Sequence, residues 1–144
     1  MNTRKIAFGL FIFSLVGVLI GYLLTSSYDF GFCYSNIQTN TFDVSCHGLY
    51  ERIGNPLFYG MSALSLIFFI LIFTQQAFSI WKKFAIWFIP LATLFFIFYP
   101  DPGSGDYFSP YPEQVFKWIS ILYVVISILI ITFETIRQKS EKID

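Results

Sequence analysis

Charge is scarce in this sequence. Its 144 residues hold nine basic and nine acidic side chains, 12% of the chain, about half the share a soluble domain spreads over its surface. Histidine occurs once, cysteine twice, and the formal net charge is zero. So few charges cannot cover a water-facing surface, and a neutral balance lacks the basic excess of a nucleic-acid binder. Intrinsic disorder is excluded from the other side, because 56% of the residues are hydrophobic. No Walker loop, Gly-x-Ser-x-Gly elbow, His-Glu-x-x-His pair, dinucleotide fingerprint or Asn-x-Ser/Thr sequon is present.

Aromatic bulk is abundant instead: 19 Phe, 9 Tyr and 3 Trp make up 22% of the chain. Four apolar runs are long enough to address a hydrocarbon layer of about 30 Å, which takes about 20 helical residues. Ile6 to Leu24 has no charge, and Leu57 to Thr74 follows Asn55 and Pro56, a plausible N-cap and first-turn proline. Phe84 to Tyr99 is short and contains Pro90, so it needs Trp81 and the stems of Lys82 and Lys83 to reach the interface. Val115 to Phe133 is interrupted only by Lys117. The predicted spans cover 6–24, 57–78, 83–99 and 115–136, with outer loops at 25–56 and 100–114. The first span is too long for a signal-peptide core and no Ala-x-Ala site follows it, so it is expected to stay as a helix.

Basic residues set the orientation. Arg4, Lys5, Lys82, Lys83, Arg137, Lys139 and Lys142 fall on one side, and only Arg52 and Lys117 on the other. The positive-inside rule then puts both termini in the cytoplasm. The fold class is an all-α membrane protein, an antiparallel four-helix bundle in a single domain of residues 1–144, located in a bacterial inner membrane.

Both cysteines, Cys33 and Cys46, lie in the first outer loop. Thiols on the oxidising side of a membrane pair, and the β-favouring Tyr34, Ile37, Phe42 and Val44 around Gln38-Thr39-Asn40-Thr41 predict a small stapled hairpin. Four spans with outward cysteines form a plan similar to that of the membrane disulfide oxidoreductases that work with quinones. Those families, however, carry a Cys-x-x-Cys pair and a second shuttling pair, whereas here there are only two cysteines, with twelve residues between them. His47, with no metal-spaced neighbours, reads as a solvated loop residue. Asp101 and Asp106 around Gly-Ser-Gly do not meet the positions of a calcium loop.

In the second outer loop, Tyr107, Phe108 and Tyr111 sit among prolines, which limit backbone entropy and suit a partner-binding surface or an interfacial belt. Gly17 and Gly21 form a Gly-x-x-x-Gly step, with Gly9 and Ser14 on the same broad face, and mark a helix-packing surface. Ser120 and Ser127, seven apart, predict a second seam. No ionisable group lies mid-span, since Lys117 and Glu134 are placed to snorkel from span ends.

The leading expectation is a non-enzymatic membrane subunit that senses or binds through its outer cap, as bacterial defence-type sensors and immunity-type proteins do. Its expected partners are the lipid bilayer and further copies of itself or a membrane or cytoplasmic protein, with no nucleic acid, cofactor or metal. A thiol-disulfide oxidoreductase is the alternative. The third is a small oligomeric channel lined by Ser14, Ser62, Ser65, Thr93, Ser120 and Ser127.

Overall fold

The computed structural model describes residues 3–36, 41–99 and 111–141. Four helices dominate: α1 (Thr3–Thr25), α2 (Val44–Phe73), α3 (Phe78–Phe98) and α4 (Pro112–Ser140). A ribbon of β1 (Tyr34–Asn36) and β2 (Thr41–Phe42) joins α1 to α2, and a 3-10 turn, Gln75–Ala77, joins α2 to α3. Each helix is long and apolar enough to cross a membrane. Even α3, the shortest at 21 residues, reaches about 30 Å at the helical rise, the thickness of the hydrocarbon layer. The chain has the make-up of a multi-pass membrane protein, and its surface fits that solvent: Trp87, Phe98 and Phe133 are 82%, 77% and 72% exposed.

The helix boundaries differ from the sequence reading chiefly at the start of α2 and at its junction with α3, where α2 ends at Phe73 rather than at 78. Helix α2 begins at Val44, not near Leu57, because Asp43 caps it: Asp43 Oδ1 accepts from the backbone N–H of Ser45 at 2.9 Å and of Cys46 at 3.2 Å. Asn55 is therefore no cap, and Pro56 sits inside the helix with no N–H to offer the Arg52 carbonyl. Helix α3 begins at Phe78, which gives it the length that a start at residue 83 denied it.

Between lipid-bathed helices, apolar burial itself gains little, so close approach and interhelical hydrogen bonds do the holding. Along α1 the buried positions are Ala7, Ser14, Gly17 and Gly21, all small. A Cβ at Gly17 would stand 2.6 Å from Met61 Cγ, and one at Gly21 would stand 2.6 Å from Phe58 N and 2.7 Å from its Cα. Helix α2 reciprocates through Gly54, where a Cβ would meet Thr25 N at 2.8 Å. Phe11 and Phe69 rings pack at 5.8 Å. Partner numbers thus fall along α2 as they rise along α1. Gly9, in contrast, is exposed with open space above it and takes no part in the seam.

Helix α4 packs on both α2 and α3. Near the 74–77 turn the contact is tight, through Ile67, Phe68, Leu71, Ala77, Trp81, Ala85 and Ile131. Trp81, read from sequence as an interface anchor, is 3% exposed; its Nε1 donates to Ser127 Oγ at 3.3 Å and its ring meets Phe68 edge-on at 5.4 Å. Tyr123 packs against both the Phe84 and Phe88 rings, at 6.0 and 5.2 Å, and those two rings meet each other at 5.2 Å. Glu134 is also in the interior at 8% exposure rather than snorkelling, and its Oε1 accepts from Gln138 Nε2 at 2.8 Å. Toward the disulfide end, the space bounded by α2, α3 and α4 opens into a cavity of about 640 Å³.

Candidate functional site

The candidate site is the cap that residues 26–36 and 41–43 and the first turns of α2 build over one end of the helices. After Thr25 the chain turns back on itself, with Phe32 N donating to Ser27 O at 3.0 Å and Gly31 supplying a left-handed residue at φ 70°. Cys33 and Cys46 then form a disulfide, their Cα atoms 5.6 Å apart. Asp43 N donates to Cys33 O at 2.9 Å. The ribbon pairs Tyr34 with Phe42 and Asn36 with Thr41 in antiparallel register, as the residues around the cysteines suggested; residues 37–40 lie outside the described ones.

His47 is not a solvated loop residue. It lies in the first turn of α2, and its Nδ1 is 2.8 Å from the hydroxyl of Ser27, which is fully buried. Its Nε2 faces Glu51 Oε2 at 3.7 Å. When the Ser27 hydroxyl donates to Nδ1, the ring proton sits on Nε2 toward the carboxylate. Serine, histidine and glutamate in one line resemble a nucleophile with its base, but Ser27 has no exposed surface for a substrate carbonyl to approach. The arrangement therefore ties the α1 exit to the α2 entry. Both of the chain's cysteines are spent in the one bridge, which leaves no thiolate to attack it. Among the described residues no three His, Cys, Asp or Glu side chains gather in the way a metal ion requires.

What the cap presents outward is aromatic. Tyr22, Phe30, Phe32 and Tyr50 follow one another at centroid distances of 6.3, 6.2 and 6.2 Å, and Tyr22 also meets Phe58 at 6.4 Å. Tyr28, Phe30 and Phe32 are 55%, 48% and 52% exposed. The sequence reading favoured the second loop instead. Tyr107 and Phe108 lie outside the described residues, and Tyr111 is exposed at the start of α4, its carbonyl accepting from Gln114 N and Val115 N. Alternating Tyr28, Phe30 and Phe32 immediately before Cys33 was the available signal for the aromatic face.

The end of α4 nearest the cap is tied to α2 by Tyr59, whose hydroxyl donates to Glu113 Oε1 at 2.8 Å. Of the hydroxyls considered as pore lining, Thr93 and Ser120 border the cavity among α2, α3 and α4, and four make hydrogen bonds within the protein. Ser14, Ser65 and Thr93 donate to carbonyls of their own helices, at Phe11, Ser62 and Ile89, and Ser127 accepts from Trp81. Comparison with known protein families, curated proteins and solved structures finds no match.

Proposed function

We propose that this protein is a non-enzymatic subunit of a bacterial inner membrane that binds a partner, either another copy of itself or a second membrane protein, through its stapled aromatic cap. The observation that carries this reading is the half-exposed run of Tyr28, Phe30 and Phe32 on a backbone held by the Cys33–Cys46 bridge and the Ser27–His47 contact. Rigid aromatic side chains give large contact area at low entropic cost. Opposed numbering along α1 and α2, together with the basic residues gathered at the termini and at Lys82 and Lys83, supports an antiparallel bundle with the cap outside and both termini in the cytoplasm. The burial of Ser27 and the lack of a second cysteine pair weigh against hydrolysis and thiol exchange.

Replacing Tyr28, Phe30 and Phe32 together with Ser tests the reading. The protein purified from native membranes should lose its partner, or fall to monomer mass by light scattering, at unchanged membrane yield. A triple variant with the wild-type mass and the wild-type companions would overturn it.

A further inference from the structure

We infer that the cavity among α2, α3 and α4 binds an uncharged aryl carbonyl compound, whose carbonyl oxygen accepts hydrogen bonds from the Ser120 and Tyr123 hydroxyls. Both residues line the α4 wall, and both are more than nine-tenths buried, at 8% and 4% exposure. Among the described residues, theirs are the buried side-chain polar atoms left without a hydrogen-bond partner. They lie three residues apart on one helix face, about 12 and 17 Å beyond Pro112 at the helical rise. At that depth hydrocarbon offers no partner, and an unmet hydroxyl is costly. Other hydroxyls of α3 and α4 are engaged: Thr93 donates to Ile89 O, and Ser127 accepts from Trp81.

The rest of the lining selects the occupant. At about 640 Å³ the cavity has the size of a small-molecule pocket. Its α2 and α3 walls present Leu57, Leu64 and Ile89, so a filling of water would lack the polar partners that hold it. A saturated hydrocarbon chain would leave both hydroxyls unmet. Arg52, the charged residue described in the lining, stands at the cap end, so an ionised group beside the hydroxyls would go unbalanced. Phe88, Phe96 and Tyr123 bring aromatic rings to the walls, which suit a flat ring. A carbonyl oxygen, with two lone pairs, takes one proton from each hydroxyl. The cap-binding reading above concerns another surface, so either can fail without the other.

Benzophenone is such a compound and is also a photochemical label. Full-length protein irradiated with it in micelles should take up label saturably on peptides covering residues 53–64 and 88–97, read by mass spectrometry. Gly60 lines the cavity, and a Cβ there would meet nothing within 4 Å, so Gly60→Phe should melt no lower than wild type and lose that labelling. Ser120→Ala with Tyr123→Phe removes only the two oxygens. This double variant should also melt no lower than wild type, because it discards unmet groups, yet raise the half-saturating concentration about tenfold, the worth of two ordinary hydrogen bonds. Wild type labelled without saturation, as a cavity holding only water or lipid would be, would overturn the site, and so would folded Gly60→Phe labelled like wild type. A double variant that binds as tightly as wild type, or melts well below it, would overturn the role of the hydroxyls.

Discussion

Ser27 Oγ lies 2.8 Å from His47 Nδ1 and bridges the turn after α1 to the first turn of α2, one residue beyond the disulfide. It is a contact between a fully buried hydroxyl and a partly buried ring, so removing either partner strands the other. Ser27→Ala and His47→Ala should each lower stability by about 1 to 3 kcal/mol, the cost of an unmet polar group. The double variant should cost less than the sum of the two, as read by unfolding of the full chain in micelles. Strict additivity would mean that the two side chains are not coupled. Glu51→Gln, on an exposed partner 3.7 Å away, should change stability by less than about 1 kcal/mol.

The disulfide acts on the same element by a different route. It closes a loop with a sequence separation of 13 residues, which in the chain-entropy model is worth about 3 kcal/mol. Cys33→Ser with Cys46→Ser should therefore lower the melting temperature while leaving the thiol-oxidation capacity of the host membrane unchanged. Reduced oxidation of periplasmic thiols in that strain would revive the enzymatic reading, so both quantities belong in one measurement.

These two contacts also divide what the residues announce from what they withhold. Two cysteines within one short connection between apolar helices, and glycines four apart in an apolar helix, each have one dominant physical use, and Cys33, Cys46, Gly17 and Gly21 are all legible for that reason. Asn55-Pro56 misleads because a proline inside a helix costs one hydrogen bond and need not end it, while the Asp43 cap lies in polar sequence that reads as loop. Trp81 misleads because it precedes Lys82 and Lys83. A helix turns 100° per residue, so those lysines face out while Trp81 joins Ala85 in the interior. The partnership of Ser27 with His47 spans 20 residues, and no local pattern encodes it. The cavity is similarly hidden, since it is a property of three helices at once.

The two glycines of α1 are not equivalent. At Gly17 a new methyl group meets the flexible Met61 side chain, whereas at Gly21 it meets the Phe58 backbone. Gly17→Ala should cost little, because the thioether can move aside. Gly21→Ala should cost about 1 to 3 kcal/mol, because two helix backbones must separate. Unfolding of the two single variants checks the ranking, and equal losses would show that Met61 is as immobile as backbone.

Trp81 and Ser127 make an interhelical side-chain hydrogen bond between α3 and α4, at 3.3 Å. In hydrocarbon neither group has water as a substitute partner, yet such bonds average only about 0.6 kcal/mol in membrane proteins, because the unfolded reference also finds partners. Trp81→Phe removes the donor and some ring volume, and Ser127→Ala removes the acceptor at little change in volume. A double-mutant cycle on these two should return a coupling of about 0.6 kcal/mol, within a larger total loss from Trp81→Phe, which also disturbs the contact with Phe68. A coupling of zero would assign Trp81 to ring packing alone. A coupling well above 1 kcal/mol would make this bond, rather than ring packing, the main contribution of Trp81 to holding α3 against α4.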